Sequence, residues 1–228
     1  MRPFVIPLVF FSFAKFSSCH QGHSHGPGGA RRRACISGSD LVTTPAGPKR
    51  LDQIQIGDLV AIGNGQFEPV VTFLHRDTSR NVPGYRITTS KNTTLTLSYE
   101  HLIFMAPSKH AIMMKNVKLG QRIFLLRKGV FSEEIIVEIE KSELEGRYSP
   151  LTKSGVLLVN QILVSCYSHA HDHNLMHRVV QWLLPYSRLV DLFKTQDDLF
   201  DNQECMHWIG DTLWYFFRHW FIADDTIF

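Results

Sequence analysis

The chain has 228 residues, 44% hydrophobic and 20% charged, so it can bury one good core, and disorder of the whole chain is excluded. The net charge is only +3, and apart from residues 31–33 the basic side chains are scattered, which does not indicate nucleic-acid binding. Four cysteines are too few and too dispersed for a disulfide scaffold and are more typical of a reactive pair with bystanders.

Residues 1–19 are predicted to be a signal peptide, which would send the protein through the endoplasmic reticulum to the extracellular space. Met1-Arg2 is a positive start, residues 4–14 form an apolar run too short to span a bilayer, and Ser17-Ser18-Cys19 offers small residues for cleavage. Lys15 intrudes on the end of the apolar run, so a short amphipathic or uncleaved anchor is the alternative.

Residues 20–34 are predicted to be a disordered leader, because the stretch has no apolar pattern to bury. Its histidines are His20, His23 and His25. A solvated tail is favoured over a metal site here, since no cysteine or carboxylate completes the set. The Arg31-Arg32-Arg33 run fits either a site for basic-residue processing proteases or a solvated spacer.

Cys35 follows the small residue Ala34 at the junction between this leader and a strand-rich region. A thiolate here could attack the carbonyl carbon of the preceding peptide bond and convert the Ala34–Cys35 amide into a thioester. The alternative interpretation is an isolated thiol or one half of a disulfide.

Residues 35–166 are predicted to be all-β, as a barrel or a sandwich. Short runs rich in Val, Ile, Thr and Phe alternate with turn signals such as Asn64-Gly65. The predicted strands are 41–44, 58–62, 70–74, 85–89, 94–97, 102–105, 122–126, 135–139 and 156–164. Residues 51–60 also resemble residues 114–123, which indicates a duplicated, pseudo-symmetric fold.

Ser98 and His101 lie three residues apart at the end of a predicted strand, so the hydroxyl and the imidazole can converge on one peptide bond. His101 can protonate a departing amine because its ordinary pKa lies near neutrality. Ser98 can hydrogen-bond the same amide nitrogen. Taken alone, this pair is a weak signal, and an ordinary strand histidine is the favoured interpretation of His101.

Five blocks of the sequence, in order, resemble the hedgehog autoprocessing domain and its warthog and groundhog relatives. The blocks are residues 35–39, 49–60, 98–104 and 148–152 and the tripeptide Ser165-Cys166-Tyr167, with Gly155 and Val159 between the last two. The resemblance implies a mainly β, pseudo-two-fold Hint (hedgehog and intein) fold with a C-terminal helical extension. It also implies a precursor that cleaves itself.

By this resemblance, Cys35 of this chain would form the internal thioester, and Ser98 and His101 would assist. A second nucleophile, the cholesterol hydroxyl in hedgehog proteins, would then release residues 20–34. Cys166 matches the family's second cysteine, for which redox control or folding and a purely structural role remain open.

The sequence departs from the family at three positions. Ala34 replaces a glycine and Ser98 replaces a threonine, and both changes are conservative. His75 replaces the aspartate thought to activate cholesterol, and Asp77 is two residues further along. We therefore expect His75 to be a general base toward water or another alcohol, and the acyl acceptor stays open among water, a thiol and a lipid alcohol such as a sterol.

Residues 167–228 are similar in length and position to the family's adduct-recognition region. His169, His171 and His173 would share one face of a strand, close to His177, but a zinc site is disfavoured because family members carry histidines here without needing metal. Residues 175–193 show helical spacing interrupted by Pro185. The aromatic residues Trp214, Phe217, Trp220 and Phe221 are predicted to line a lipid site or to touch a membrane surface. Two amphipathic helices that only pack over the Hint barrel are the alternative.

Two functions follow. The first is a cysteine peptidase and acyl transferase that acts once, on its own leader, needs no cofactor and works as a monomer. The second is a secreted Hint-fold module that no longer cleaves and instead binds a lipid or a partner. Retention of Cys35, Ser98 and His101 favours the first, while His75 and the short leader favour the second.

Overall fold

The computed structural model describes residues 35–78, 81–168 and 172–191. The predicted signal peptide and leader, Ala34, His169, His171 and the four aromatic residues of the predicted lipid site lie outside them. The strands are β1 (Leu41–Thr44), β2 (Gly47–Arg50), β3 (Leu59–Gly63), β4 (Gln66–Pro69), β5 (Thr72–Asp77), β6 (Val82–Thr89), β7 (Thr94–Leu97), β8 (His101–Ala106), β9 (His110–Met113), β10 (Arg122–Arg127), β11 (Val130–Leu144), β12 (Arg147–Leu151), β13 (Val156–Val159) and β14 (Ile162–Ser168). Two short 3₁₀ helices span Leu51–Gln53 and Met114–Asn116, and α1 spans His173–Asp191.

Most of the strands form one curled sheet in the order β2-β1-β13-β14-β8-β10-β11-β6-β7, and β9 pairs with β8. The neighbours are antiparallel, and β5–β12 and β3–β4 form two further pairs. The curled sheet wraps one continuous apolar core that runs from Ile36 to Val180. The prediction of a mainly β fold is confirmed.

The two copies of the internal repeat adopt the same local structure. Each begins with a 3₁₀ helix, at Leu51–Gln53 and at Met114–Asn116. Each then turns at a glycine in the left-handed region, Gly57 with φ of 92° and Gly120 with φ of 81°. Only glycine adopts this conformation without a steric penalty, which explains why both copies keep it.

The same side-chain bond closes both turns. Asp58 accepts the Gln55 N–H through its carboxylate at 2.9 Å, and Gln121 accepts the Lys118 N–H through its amide oxygen at 2.9 Å. Beyond the turns, β5 and β11 each pair with a strand from the other half of the chain, β12 and β6 respectively. The fold is therefore pseudo-two-fold, as the repeat predicts.

The single strand predicted at residues 156–164 is wrong. The chain reverses at Asn160 and Gln161, whose φ values are 48° and 68°, and β13 pairs with β14 across this turn. Two consecutive residues with positive φ make the tight turn that suits a two-residue hairpin. The sequence hides it because neither residue is glycine.

Helix α1 begins two residues earlier than the sequence predicts and continues through Pro185. Asp172 caps it, since its carboxylate accepts the N–H groups of Asn174 and Leu175 at 2.7 and 3.3 Å. His173 therefore lies in a helix, and its predicted place on a strand face is wrong. Within the described part of the chain, no helix has the length and apolar character needed to cross a membrane.

Candidate active site

Cys35 is fully buried between the end of β7 and strand β12. Its carbonyl accepts the Ser98 N–H at 2.9 Å. The next residue, Ile36, exchanges two main-chain bonds with Tyr148 of β12, at 2.9 and 3.2 Å. These bonds fix the backbone of Cys35 from both sides.

Ser98 contacts the nitrogen of the Ala34–Cys35 peptide bond. The Cys35 N–H donates to Ser98 Oγ at 2.6 Å, and both residues are buried. Ser98 follows β7 directly and starts a turn that the His101 N–H closes on the Ser98 carbonyl at 3.2 Å. The end of β7 thus delivers a hydroxyl to the amide of the candidate cleavage site.

His75 contacts the sulfur of the same cysteine. Its Nδ1 lies 3.0 Å from Cys35 Sγ, and its side chain is only 5% exposed. Alternation along β5 turns Phe73, His75 and Asp77 inward. Because β5 pairs with β12, which also holds Ile36, the sheet register brings His75 to Cys35.

His101 is fully buried, and its ring is oriented by the main chain of β14. Its Nε2 lies 2.9 Å from the carbonyl oxygen of Ser165. A carbonyl only accepts hydrogen bonds, so Nε2 carries a proton and Nδ1 is the nitrogen that gains or loses one. The Ser165 carbonyl thereby fixes the tautomer of His101.

Asp77 lies on the inward face of β5, as His75 does, but its carboxylate forms an ion pair with Arg147 of β12. Both side chains are largely buried. The aspartate is thus tied to a cation across the β5–β12 pair, whereas His75 has the contact with Cys35.

Cys166 is a buried thiol beside Thr152, with 3.6 Å between Sγ and the threonine Oγ1. Burial raises the pKa of Cys166 to about 12, so the group stays protonated at neutral pH. Its carbonyl accepts the hydroxyl of Ser149, which is the strand partner of His75. Its main chain thereby supports the strand pair that carries His75.

A family model described as the Hint module matches residues 23–219. The chain belongs to the Hint family. Among curated proteins, this Hint chain is 30% identical to Protein qua-1 of Caenorhabditis elegans over 181 residues, which are 68% of the chain and 15% of that protein. It is 29% identical to Indian hedgehog B protein of Danio rerio over 206 residues, 81% of the chain and 48% of that protein.

Warthog protein 8 of Caenorhabditis elegans is 26% identical over 168 residues, 67% of the chain and 30% of that protein. The Hint chain thus spans about half or less of the length of these relatives.

Two solved inteins share its fold. An Ssp DnaB mini-intein variant has a TM-score of 0.52 at 15% identity, covering 62% of this chain and 98% of its own. A gp41-1 intein variant has a TM-score of 0.50 at 21% identity, covering 58% and 99%.

Ser149 and Ser165 lie in two of the sequence blocks that resemble the hedgehog domain, but those blocks do not indicate the contacts that the two serines make in this Hint site. Both are buried: the Ser149 hydroxyl donates to the Cys166 carbonyl on β14, and the Ser165 carbonyl accepts from the His101 ring. Among residues 35–78, 81–168 and 172–191, no three His, Cys, Asp or Glu side chains are grouped as metal ligands would be.

Proposed function

We propose that this Hint domain cleaves its own chain between Ala34 and Cys35 through an internal thioester. The observation that carries the proposal is the double contact of Cys35. Cys35 Sγ, which must form a bond to the Ala34 carbonyl carbon, contacts the His75 imidazole. The Cys35 amide nitrogen, which must lose its bond to that carbon, contacts the Ser98 hydroxyl.

In the first step, His75 takes the thiol proton and Cys35 Sγ attacks the carbonyl carbon of Ala34. The new C–S bond forms as the C–N bond to Cys35 breaks, and the nitrogen must gain a proton to leave as an amine. We assign this proton to His101, which delivers it from Nδ1 because Nε2 is bonded to the Ser165 carbonyl. Ser98 orients the nitrogen.

In the second step, water, a thiol or a lipid alcohol attacks the thioester carbonyl. The C–S bond breaks, and the leader leaves as an acid, a thioester or an ester. Once His75 has passed the thiol proton to solvent, it can accept the proton of the attacking nucleophile and return it to the Cys35 sulfur as the C–S bond breaks, since its Nδ1 lies next to that sulfur. We place a sterol or other lipid acceptor in the region of residues 167–228.

The reaction needs no cofactor, since each proton donor and acceptor in it is a side chain of the chain itself. Residues 1–19 would direct the protein to the extracellular space, where the released leader and the Hint domain would act.

The test is the intact mass of the purified protein with and without hydroxylamine, which attacks thioesters. Release of the segment that ends at Ala34 supports the proposal, and the Cys35→Ala variant should stay whole. A folded parent that hydroxylamine and thiols leave intact would contradict it and favour the non-cleaving, lipid- or partner-binding alternative.

A further inference from the structure

Asn92 lies exposed in the turn between β6 and β7, within the tripeptide Asn92-Thr93-Thr94. Asn-x-Thr is the acceptor pattern for N-linked oligosaccharide. The other asparagines of the sequence, at 64, 81, 116, 160, 174 and 202, have no serine or threonine two residues later.

The turn around Asn92 is held by hydrogen bonds that do not involve the Asn92 side chain. The Thr89 carbonyl accepts the Asn92 N–H at 2.8 Å, and Thr89 exchanges two further bonds with Thr93, at 2.9 and 3.1 Å. The φ of Asn92 is 60°, a region where asparagine is enriched. These bonds of the turn are made by the main chain and by the Thr89 hydroxyl, and Asn92 is an exposed residue.

We propose that Asn92 is N-glycosylated, a proposal that rests on the extracellular location expected above. The Asn92 Nδ2 would bond to the anomeric carbon of a sugar as the bond from that carbon to a lipid-linked diphosphate donor breaks, and Nδ2 would lose one proton. Strand β7 separates Asn92 from Ser98, and its four residues span roughly 13 Å at about 3.3 Å per residue. The glycan therefore does not obstruct the cleavage site.

The test translates the full chain with microsomes that carry the glycosylation machinery, and then treats it with an amidase that removes N-linked glycans. We expect a loss of mass that disappears in Asn92→Gln and in Thr94→Ala, with self-cleavage of Asn92→Gln unchanged. A protease-protected chain without the glycan would overturn the proposal. A chain that stays outside the microsomes would overturn it together with the extracellular location.

A second inference starts from an irregularity in β14. Its pairing with β8 runs from Val164 opposite Ile103 to Ser168 opposite His101, so four steps along β14 oppose two along β8. The extra residues lie within residues 165–167, here called the β14 bulge. Bulges occur next to active sites, where they redirect a group, and here the Ser165 carbonyl meets the His101 ring.

Helix α1 holds both ends of the β14 bulge. His173 Nδ1 lies 2.9 Å from Ser165 Oγ, and His177 Nδ1 lies 2.8 Å from the hydroxyl of Tyr167. The Tyr167 N–H also donates to Ser165 Oγ at 2.9 Å. Since that oxygen already accepts one proton, its own hydroxyl proton is available to His173 Nδ1.

The fit between α1 and the β14 bulge is tight. A Cβ atom on Gly155 would lie 2.6 Å from His177 Nδ1 and 2.8 Å from the Tyr167 ring. The rings of His173 and His177 are nearly parallel, with 5.9 Å between their centroids. Glycine at this position is what allows the helix to approach the bulge.

We infer that His173 and His177 are positioning residues, which act on His101 through the β14 bulge. This inference rests on the proposed function. It makes α1 a part of the first step, in addition to any role of the C-terminal region in binding the acceptor. Loss of the His173 contact leaves the Ser165 hydroxyl without that partner and loosens the carbonyl that fixes the His101 tautomer.

The first readout is the rate of hydroxylamine-dependent release in the full chain. We expect His173→Phe, which keeps an aromatic ring beside Phe104, and Ser165→Ala to slow release about tenfold, because His101 would then be misplaced as a general acid. A tenfold slower rate corresponds to an activation free energy higher by about 1.4 kcal/mol. His173→Asn, which retains an acceptor, should recover part of the rate. Gln181→Ala is the matched control, because Gln181 bonds the Lys153 carbonyl from the same helix without touching the bulge.

The second readout is the ¹⁵N NMR signature of the His101 ring, recorded in a Cys35→Ala background that cannot cleave. We expect His173→Phe to change the ratio of His101 tautomers and its titration. Unchanged rates together with an unchanged His101 signature would overturn the inference. If the parent itself does not cleave, the NMR result still decides whether α1 positions His101.

Discussion

Cys35 Sγ lies 3.0 Å from Nδ1 of His75, although 40 residues separate the two in sequence. The contact places a base at the nucleophile itself. The sequence alone predicts that His75 acts as a base toward the acyl acceptor. Its position beside the sulfur supports a role as a base in thioester formation as well as in acyl transfer.

Replacing His75 should therefore slow thioester formation as well as transfer. We expect His75→Ala to lower the rate of hydroxylamine-dependent release about a hundredfold, the low end of the range for loss of a general base. Raising the pH should partly restore the rate, since hydroxide then supplies the thiolate. His110→Ala, at an exposed position on β9, is the control. Equal rates for His75→Ala and the parent would remove His75 from the first step.

The hydroxyl of Ser98 should matter more than its size. Ser98→Ala leaves the buried Cys35 N–H without this acceptor, and we expect at least a roughly tenfold slower first step. Ser98→Thr keeps the hydroxyl and should retain most of the rate. Both are measured by release of the leader against time, with thermal melts to confirm folding. A Ser98→Ala variant as fast as Ser98→Thr would contradict the assignment.

His173 should make the fold sensitive to acid. Burial, followed by the neighbouring His177, lowers the pKa of His173 to about 4, while Asp172 acts in the opposite direction. Because the folded state holds the neutral ring, its stabilising contribution is complete above pH 6.5 and is lost as the pH falls through 4. The free energy of unfolding therefore falls as the pH is lowered through this range. Denaturation curves at several pH values should show it in the parent and not in His173→Phe.

Asp40 should show the opposite dependence. Burial raises the pKa of Asp40 to about 6, against the opposing effect of its bonds to the Thr96 N–H and Asn160. A carboxyl with a raised folded-state pKa contributes stability that is complete below pH 3.8 and is lost as the pH rises through 6. We expect Asp40→Asn to remove this slope, measured by denaturation between about pH 4 and 7. A slope that survives in Asp40→Asn would assign it to another group.

The sequence predicts well those features that depend on local pattern. The turn glycines Gly57 and Gly120 occur in a matched spacing, so the duplication is visible in the order of the residues alone. Ser98 and His101 follow a clear strand within one short motif, and their shared turn is local.

Features that depend on register between distant strands were not predictable. The contact of His75 with Cys35 requires β5 to pair with β12 and β12 to hold Ile36. The role of Ser165 requires a bulge that only the pairing of β14 with β8 reveals. The start of α1 at His173 was missed because alternating histidines imitate the period of a strand.

The central claim is that Cys35 forms a thioester with Ala34, and mass spectrometry of the intact protein tests it most directly. Purified parent and Cys35→Ala protein are incubated with hydroxylamine at neutral pH and compared with untreated samples. We predict that the parent separates into a Hint domain beginning at Cys35 and a leader that ends in the hydroxamate of Ala34, while Cys35→Ala keeps its full mass. A folded parent whose mass stays unchanged would contradict the account.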